Sequence, residues 1–317
     1  YVLNAKGWIE GLGAGSQDLD RKNSLLTVSI ELTEAGRAHV EEITDLLFQY
    51  LDMLRTQPPQ DWLYQEQAKV AELGFRFQEK GSTVGFVYQM APSLDLYPAE
   101  DLLVAPYLME AFDPALIKQF LSYLRPDNVL LEVTAPDSAT DQIEPWFEVP
   151  FALQRAPLAR QAVADATLHL PEVNPYLPEK LDLVPADDQV MQRVVAEPQL
   201  TLWLDTDVEF GTPRANMTLG FLTPEGALSA EDRAQALLYQ RLVNDALSAT
   251  IYPAYLAGLG YSINVADSGF AVSVNGYQDK QMTLLDTVTQ QLLYAEISAE
   301  RFATIKASLI KDWRNSR

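Results

Sequence analysis

The chain contains two histidines, His39 and His169, and each has to be tested as a possible metal ligand. The segment His39-Val40-Glu41-Glu42-Ile43 approaches the zinc-binding pattern His-x-x-Glu-His, but Ile43 stands where the second histidine is needed. That pattern places two imidazoles and a general-base carboxylate on one helix face. One imidazole with nearby carboxylates makes a poor four-coordinate site. We expect His39 to be a helix-surface or interface residue, with metal binding as the alternative, and His169 to be an ordinary exposed residue.

Other kinds of catalytic site have little support in the sequence. Cysteine is absent, which excludes disulfides, thiolate metal sites and a cysteine nucleophile. The chain has no Gly-x-Ser-x-Gly elbow for a serine nucleophile. The glycine-rich run Gly11-Leu12-Gly13-Ala14-Gly15 lacks the Lys-Ser or Lys-Thr pair of a phosphate-binding loop. A pair of carboxylates acting as general acid and base stays open among the 44 acidic residues, although a solvated acidic surface is the interpretation that we favour.

The composition indicates a folded protein with a strongly acidic surface. With 317 residues, 48% of them hydrophobic, the chain is long enough for roughly two domains. A net charge of -21 argues against nucleic acid as a partner, so we expect peptides, small molecules or other proteins. No run approaches the ~20 apolar residues of a membrane span. The chain starts at Tyr1, without an initiating Met or a signal-like segment, and we expect it to be part of a longer protein.

The first part of the chain has the apolar periodicity of strands and helices. Residues 24–32 alternate apolar and polar side chains, which is typical of a half-buried strand. Apolar residues three and four positions apart predict a helix over 38–54. Asp113 followed by Pro114 is a matched N-cap and first helical residue. The remaining elements predicted here are helices at 62–80, 99–111 and 114–124 and a strand at 128–134.

The second part of the chain repeats this pattern of strands followed by a pair of helices. Between the two parts, periodicity fades over 154–196 and prolines accumulate, which predicts an extended connector. Ser229 is the expected N-cap of a long helix in the second part. The elements predicted there are strands at 200–204, 215–221, 259–265 and 270–276 and helices at 229–252, 282–294 and 299–313.

A long internal duplication of this kind predicts an α+β fold. We expect tandem homologous modules, each a mostly antiparallel sheet with helices packed on one face. The predicted boundaries are 1–153 for the first module, 154–198 for the connector or hinge, and 199–317 for the second module.

Short sequence phrases distributed along the chain allow a more specific comparison with known sequences than its composition does. In their order, they resemble the middle of the pitrilysin and insulin-degrading enzyme family of zinc metalloendopeptidases. The phrases are Lys6-Gly7-Trp8, Leu32-Thr33-Glu34-Ala35-Gly36, His39-Val40-Glu41-Glu42-Ile43, Phe48-Gln49-Tyr50-Leu51, Phe75-Arg76-Phe77, Leu124-Arg125-Pro126-Asp127-Asn128-Val129 and Gly276-Tyr277-Gln278-Asp279-Lys280-Gln281.

The resemblance implies a position within a larger enzyme. That family has four homologous α+β domains in two halves that close around a chamber, and this chain resembles most of the second domain, the connector and part of the third. The first domain, which carries His-x-x-Glu-His, and the fourth, which supplies an Arg and a Tyr near the metal, lie outside the resemblance. The resemblance thus implies no cofactor in this chain and zinc in the intact parent.

The resemblance also points to a peptide-binding exosite that lies apart from the zinc. Carried over by position, this exosite falls on Leu12, Gly13, Ala14, Gly15 and Ser16. An exposed edge with small side chains offers unpaired N–H and C=O groups to an added strand. The alternative is a flexible turn that precedes residues 17–20.

Two functions of different class follow from these expectations. The favoured one is a non-catalytic central portion that contributes chamber wall, exosite and hinge to peptide degradation and is inactive alone. The alternative is a stand-alone inactive binding or assembly subunit that pairs with a separate zinc-bearing protease subunit. The expected partners are peptide substrates and the missing catalytic domain, in the parent chain or in a partner subunit. Analogy with bacterial pitrilysin-like enzymes implies a periplasmic location.

Overall fold

The computed structural model describes residues 2–20, 22–78, 81–155, 158, 167–183, 191–206, 211–223 and 226–316. Contacts divide the chain into two compact units, each built from two stretches of sequence. Unit 1 comprises Tyr1–Asp61 and Ala111–Pro171, and unit 2 comprises Trp62–Glu110 and Glu172–Arg317. Among the described residues, no helix combines the length and the apolar character that are needed to cross a bilayer.

Unit 1 is built on an antiparallel hairpin that is followed by helices. Its buried residues include Ile9 from the first strand and Ile43 and Phe48 from the long helix. The elements of unit 1 are α1 (Val2–Ala5), β1 (Ile9–Asp18), β2 (Ser24–Leu32), α2 (Glu34–Arg37), α3 (Val40–Thr56), α6 (Pro114–Tyr123), β3 (Gln142–Ile143) and β4 (Pro150–Phe151).

Unit 2 contains a sheet in the order β7 (Arg214–Leu222), β9 (Gly269–Tyr277) and β8 (Gly260–Ala266), in which β9 pairs antiparallel with both neighbours. Val272, Val274 and Ile263 of this sheet are buried together with side chains of α7 (Ala230–Leu256) and α8 (Gln281–Tyr294), so the helices cover one face of the sheet. The elements of unit 2 are α4 (Asp61–Arg76, beginning at the unit boundary), α5 (Thr83–Ser93), β5 (Gln192–Glu197), β6 (Leu200–Leu204), β7 (Arg214–Leu222), α7 (Ala230–Leu256), β8 (Gly260–Ala266), β9 (Gly269–Tyr277), α8 (Gln281–Tyr294) and α9 (Ala299–Asn315). Antiparallel sheets with helices packed on them confirm the predicted α+β fold.

Two of the predicted helix starts are confirmed in atomic detail. Asp113 accepts hydrogen bonds from the backbone N–H groups of Ala115 and Leu116, both at 2.9 Å, and Pro114 is the first residue of α6. Ser229 accepts from the N–H of Asp232 at 3.1 Å and caps α7. These caps satisfy N–H groups that have no partner within the helix.

Two predicted elements are wrong. The helix expected at 99–111 is reduced to a 3-10 turn over Ala105–Tyr107, because Pro106 has no N–H to donate to the carbonyl four residues earlier and its ring clashes with that carbonyl. The strand expected at 128–134 is not formed, and Leu130 in it is 80% exposed. An apolar, β-branched run needs a neighbouring strand to complete its hydrogen bonds, and the described residues provide none here.

α5 lies between the helices expected at 62–80 and 99–111, where no element was predicted. Ser82 caps this helix by accepting a hydrogen bond from the N–H of Gly85 at 3.0 Å. A glycine in the first turn therefore does not prevent helix formation where a side chain completes the cap.

The described part of the predicted connector is partly packed. Tyr176 is 5% exposed and lies in the core of unit 2, and β5 begins at Gln192 inside the predicted connector range. Residues 156–157, 159–166 and 184–190 of this range lie outside the described residues. The module boundaries at 153 and 198 and the hinge role stay predictions.

Candidate functional site

The hairpin of β1 and β2 contains all the predicted exosite residues. Its register pairs Leu12 with Ile30, Ala14 with Val28 and Ser16 with Leu26, so these side chains share one face. The intervening glycines of β1 lie on the opposite face. They are opposite polar or charged residues of β2, in the pairs Gly11 with Glu31, Gly13 with Ser29 and Gly15 with Thr27.

The outer edge of β1 is open. Within the described ranges, β1 and β2 form a sheet of two strands, and β2 occupies only one edge of β1. Residues 12–16 are all exposed, Leu12 to 53%. A Cβ atom added to Gly13 or to Gly15 would have no other described atom within 4 Å. Residues 12–16 are therefore an exposed edge strand, and the alternative of a turn at this position is wrong.

The far end of the hairpin is a compact turn held by Asp20. Its carboxylate accepts hydrogen bonds from the N–H of Lys22 at 2.7 Å and of Asn23 at 2.9 Å, and from the Asn23 side-chain amide at 2.8 Å. The bond from the Asn23 side chain, followed by that from the Lys22 backbone, lowers the pKa of Asp20. These bonds favour the ionised carboxylate, which keeps the turn closed at neutral pH.

The base of the hairpin is tied to the helices that follow it. Thr33 donates its backbone N–H to the carbonyl of Trp8 at 3.0 Å and its hydroxyl to the carbonyl of Gly7 at 2.7 Å. The same hydroxyl accepts from the N–H of Gly36 at 3.0 Å and caps α2. A Cβ on Gly36 would lie 1.9 Å from the Trp8 carbonyl oxygen, so only glycine permits this approach. Thr33 and Gly36 belong to one of the phrases that carry the resemblance, but their structural role was not predicted from the sequence.

His39 completes this base through a stacked ring and a contact with Glu42. Its ring stacks on Trp8 at a centroid distance of 4.3 Å, and its Nδ1 contacts the Glu42 carboxylate. His169 is exposed, as expected, with Nδ1 2.8 Å from the Leu170 carbonyl oxygen. Across the described part of the chain, no three His, Asp or Glu side chains converge as ligands. The single imidazole of His39 and the Glu42 carboxylate do not make up the ligand set of the zinc ion that the resemblance implies for the intact parent.

The comparisons with known proteins agree with this architecture. The family described as "Middle or third domain of peptidase M16" matches residues 75–317. The chain is similar to Insulin-degrading enzyme-like 1, peroxisomal, of Arabidopsis thaliana, with 31% identity over 99% of this chain and 33% of that protein. It is also similar to the insulin-degrading enzyme of Homo sapiens, with 31% identity over 99% of this chain and 32% of that protein.

A solved structure gives the same result for the fold. The crystal structure of pitrilysin matches with a TM-score of 0.73 and 23% identity, over 98% of this chain and 34% of that chain. This chain spans about a third of the length of the curated relatives that it matches. The chain belongs to the peptidase M16 family, and it corresponds to the family's central portion.

Proposed function

We propose that this chain is the non-catalytic central portion of a pitrilysin-like zinc metalloendopeptidase, where it binds peptides along the open edge of β1. The observation that carries the proposal is that residues 12–16 form an exposed strand with one edge free among the described residues. Chamber wall and hinge are further parts of the proposed role. The zinc and the cleavage reaction belong to the intact parent.

The open edge supports main-chain recognition with little selection among peptide side chains. In an antiparallel pair, successive residues point their N–H and C=O groups alternately to the two edges. Of the five residues 12–16, about two or three therefore face outward. Each added hydrogen bond contributes roughly 1 kcal/mol net, and ordering the peptide opposes this gain. We expect the edge alone to bind weakly, with a Kd on the order of millimolar or higher.

The test is a pair of adjacent proline substitutions, Gly13→Pro and Ala14→Pro. Because the ladder alternates, one proline removes an outward N–H, and the other removes an N–H that is directed at β2. Peptide binding is measured by calorimetry with an unstructured peptide, and hairpin integrity by hydrogen exchange of β2. The outward variant is expected to keep the exchange protection of β2 and lose peptide binding.

A modified peptide serves as a control that distinguishes main-chain pairing along the edge from contacts made by the side chains of the peptide. A peptide that is N-methylated at alternate residues keeps its side chains but loses the donors for one edge. It is expected to bind at least tenfold more weakly than the unmodified peptide. If both peptides bind equally well, or if neither proline affects binding while β2 stays protected, the edge is not the binding site.

The alternative function, a stand-alone inactive subunit that pairs with a zinc-bearing partner, places the same edge in a different assembly. The two proposals are separated by purifying the natural protein. Zinc and peptidase activity in one polypeptide support the first, and recovery of this chain with a separate zinc-bearing subunit supports the second. The periplasm is the proposed location, and cell fractionation tests it.

A further inference from the structure

A second hairpin, in unit 1, presents two aromatic side chains to solvent. It consists of residues 141–151 and is called the aromatic hairpin below. β3 and β4 pair antiparallel, with Gln142 opposite Phe151 and Ile143 opposite Pro150. Further backbone bonds join the N–H of Asp141 to the carbonyl of Phe151 at 3.1 Å and the N–H of Glu144 to the carbonyl of Val149 at 2.9 Å.

The tip of the aromatic hairpin is held by Glu144. One of its carboxylate oxygens accepts the backbone N–H of Trp146 at 2.9 Å, and the other accepts the N–H of Phe147 at 2.7 Å. Hydrogen bonds to an ionised acceptor are roughly twice as strong as neutral ones. Glu148 then takes a left-handed backbone conformation, with φ of 56°, which turns the chain back toward β4. The local hydrogen bonds therefore fix the backbone that carries the two aromatic residues.

Trp146 and Phe147 are each 85% exposed, which is the largest exposure among the large apolar residues of the described chain. Ile143, at 69%, and Val149, at 53%, extend the apolar surface along the same hairpin. Aromatic residues with fixed backbones are the side chains that most often dominate the energy of an interface. An apolar surface of this kind on a folded unit indicates a binding partner.

The charge of the aromatic hairpin indicates the chemistry of that partner. Asp141, Glu144 and Glu148 lie within residues 141–151, and the segment has no lysine or arginine. An apolar tip between carboxylates complements a ligand with apolar side chains next to cationic ones. A cation can also lie over the Trp146 ring, because the face of an indole attracts positive charge.

We propose that the aromatic hairpin is a second peptide-binding surface, selective for segments in which an apolar side chain neighbours Lys or Arg. Trp146 and Phe147 contact the apolar group, and the flanking carboxylates attract the cation. This surface acts through side chains, so it does not depend on the edge pairing proposed for β1.

The test uses the 317-residue chain and two labelled peptides in fluorescence anisotropy. One peptide alternates Phe, Gly and Lys, and its matched partner has Glu in place of each Lys. We expect the Lys peptide to bind at least tenfold more tightly at low salt, with the difference narrowing as salt rises.

The double variant Trp146→Ala/Phe147→Ala is expected to lose about tenfold or more in affinity for the Lys peptide. Both side chains are exposed, so the variant is expected to fold normally. Trp203→Ala is the matched control, because Trp203 is a 56% exposed tryptophan on β6 of unit 2. It is expected to bind like the unchanged chain. Glu148→Gln is expected to lose about threefold and to show a weaker salt dependence.

Three results would overturn the proposal. The first is equal binding of the Lys and Glu peptides, and the second is an equal loss of binding in Trp203→Ala and in the double variant. The third is self-association of the unchanged chain that the double variant abolishes, which would assign the surface to a second copy. Main-chain pairing along the β1 edge treats the Lys and Glu peptides alike, so a failure of the β1 proposal leaves the comparison of these peptides readable.

Discussion

Tyr176 provides a direct test of how the segment 174–182 is held in unit 2. Its ring is 5% exposed, and its hydroxyl lies 3.0 Å from the hydroxyl of Thr287 on α8. Next to it, Asn174 accepts the N–H of Tyr176 at 3.0 Å and donates its side-chain amide to the carbonyl of Pro253 at 2.8 Å. The backbone N–H of Asn174 donates to the Glu66 carboxylate at 2.9 Å. Within the predicted connector, this stretch is therefore fixed to unit 2 by burial and by hydrogen bonds.

Two substitutions separate these contributions to the free energy of unfolding. Tyr176→Phe keeps the ring and removes one hydrogen bond, so it should cost about 1 kcal/mol. Tyr176→Ala also removes the buried ring and leaves a cavity, so it should cost roughly 3–5 kcal/mol. Tyr255→Ala is the control, because Tyr255 on α7 is 71% exposed and its loss should cost under about 0.5 kcal/mol.

The assay is urea unfolding of the three variants, together with hydrogen exchange of fragments that contain residues 174–182. Local unfolding energies differ across a structure, so exchange shows whether this segment opens independently of the core. The reasoning is refuted if Tyr176→Ala costs no more than Tyr255→Ala, or if residues 174–182 exchange as fast as an unstructured chain. In either case the segment would be a free linker.

Two further predictions concern a glycine in the sheet of unit 2 and the pH dependence of residues 179–180. Gly269→Ala should lower the free energy of unfolding by about 3 kcal/mol or more, because φ is +140° and a Cβ would lie 1.9 Å from the Phe221 carbonyl oxygen. Gly220→Ala is the control, because no described atom lies within 4 Å of an added Cβ there. It should change the free energy of unfolding by under about 1 kcal/mol in the same urea assay. The Asp279 carboxylate accepts the N–H of Glu179 at 2.9 Å and of Lys180 at 3.3 Å, and mainly the first bond lowers its pKa. The ionised Asp279 carboxylate should stabilise residues 179–180 at any pH above its pKa in the unfolded chain, about 3.9. This stabilisation should disappear as the pH falls through the lower pKa of the folded state. Asp279→Asn should abolish this acid-dependent step in hydrogen exchange, whereas Asp286→Asn, on α8, should keep it.

Local signals in the sequence predicted most of the elements. The N-cap at Asp113 and the alternating strand at 24–32 were correct because both depend on neighbours within a few residues. The strand at 128–134 was wrong because a strand also needs a partner, which periodicity does not reveal. Pro106 outweighed the helical pattern at 99–111 through a local clash that the pattern does not include.

The candidate site was predictable only in position. The resemblance located residues 12–16, but the open edge of β1 depends on which strands pair, and this is a tertiary property. The carbonyl of Trp8 above Gly36 brings together residues that are 28 positions apart, and nothing local marks that contact. The aromatic hairpin was missed because Glu144 accepts hydrogen bonds from the N–H groups of Trp146 and Phe147 only once the turn has formed.

The open edge of β1 also affects colloidal behaviour. Two such edges from different molecules can join into a continuous ribbon, and natural edges commonly carry charged gatekeeper residues against this. Residues 12–16 contain no charge, and the nearest charged residues on β1 are Glu10 and Asp18, so much of the protection comes from the net charge of -21 on this chain. Acid titrates the carboxylates below about pH 4, and 1 M salt shortens the screening length to about 3 Å. Resistance to precipitation therefore depends on long-range repulsion from carboxylates elsewhere on the molecule.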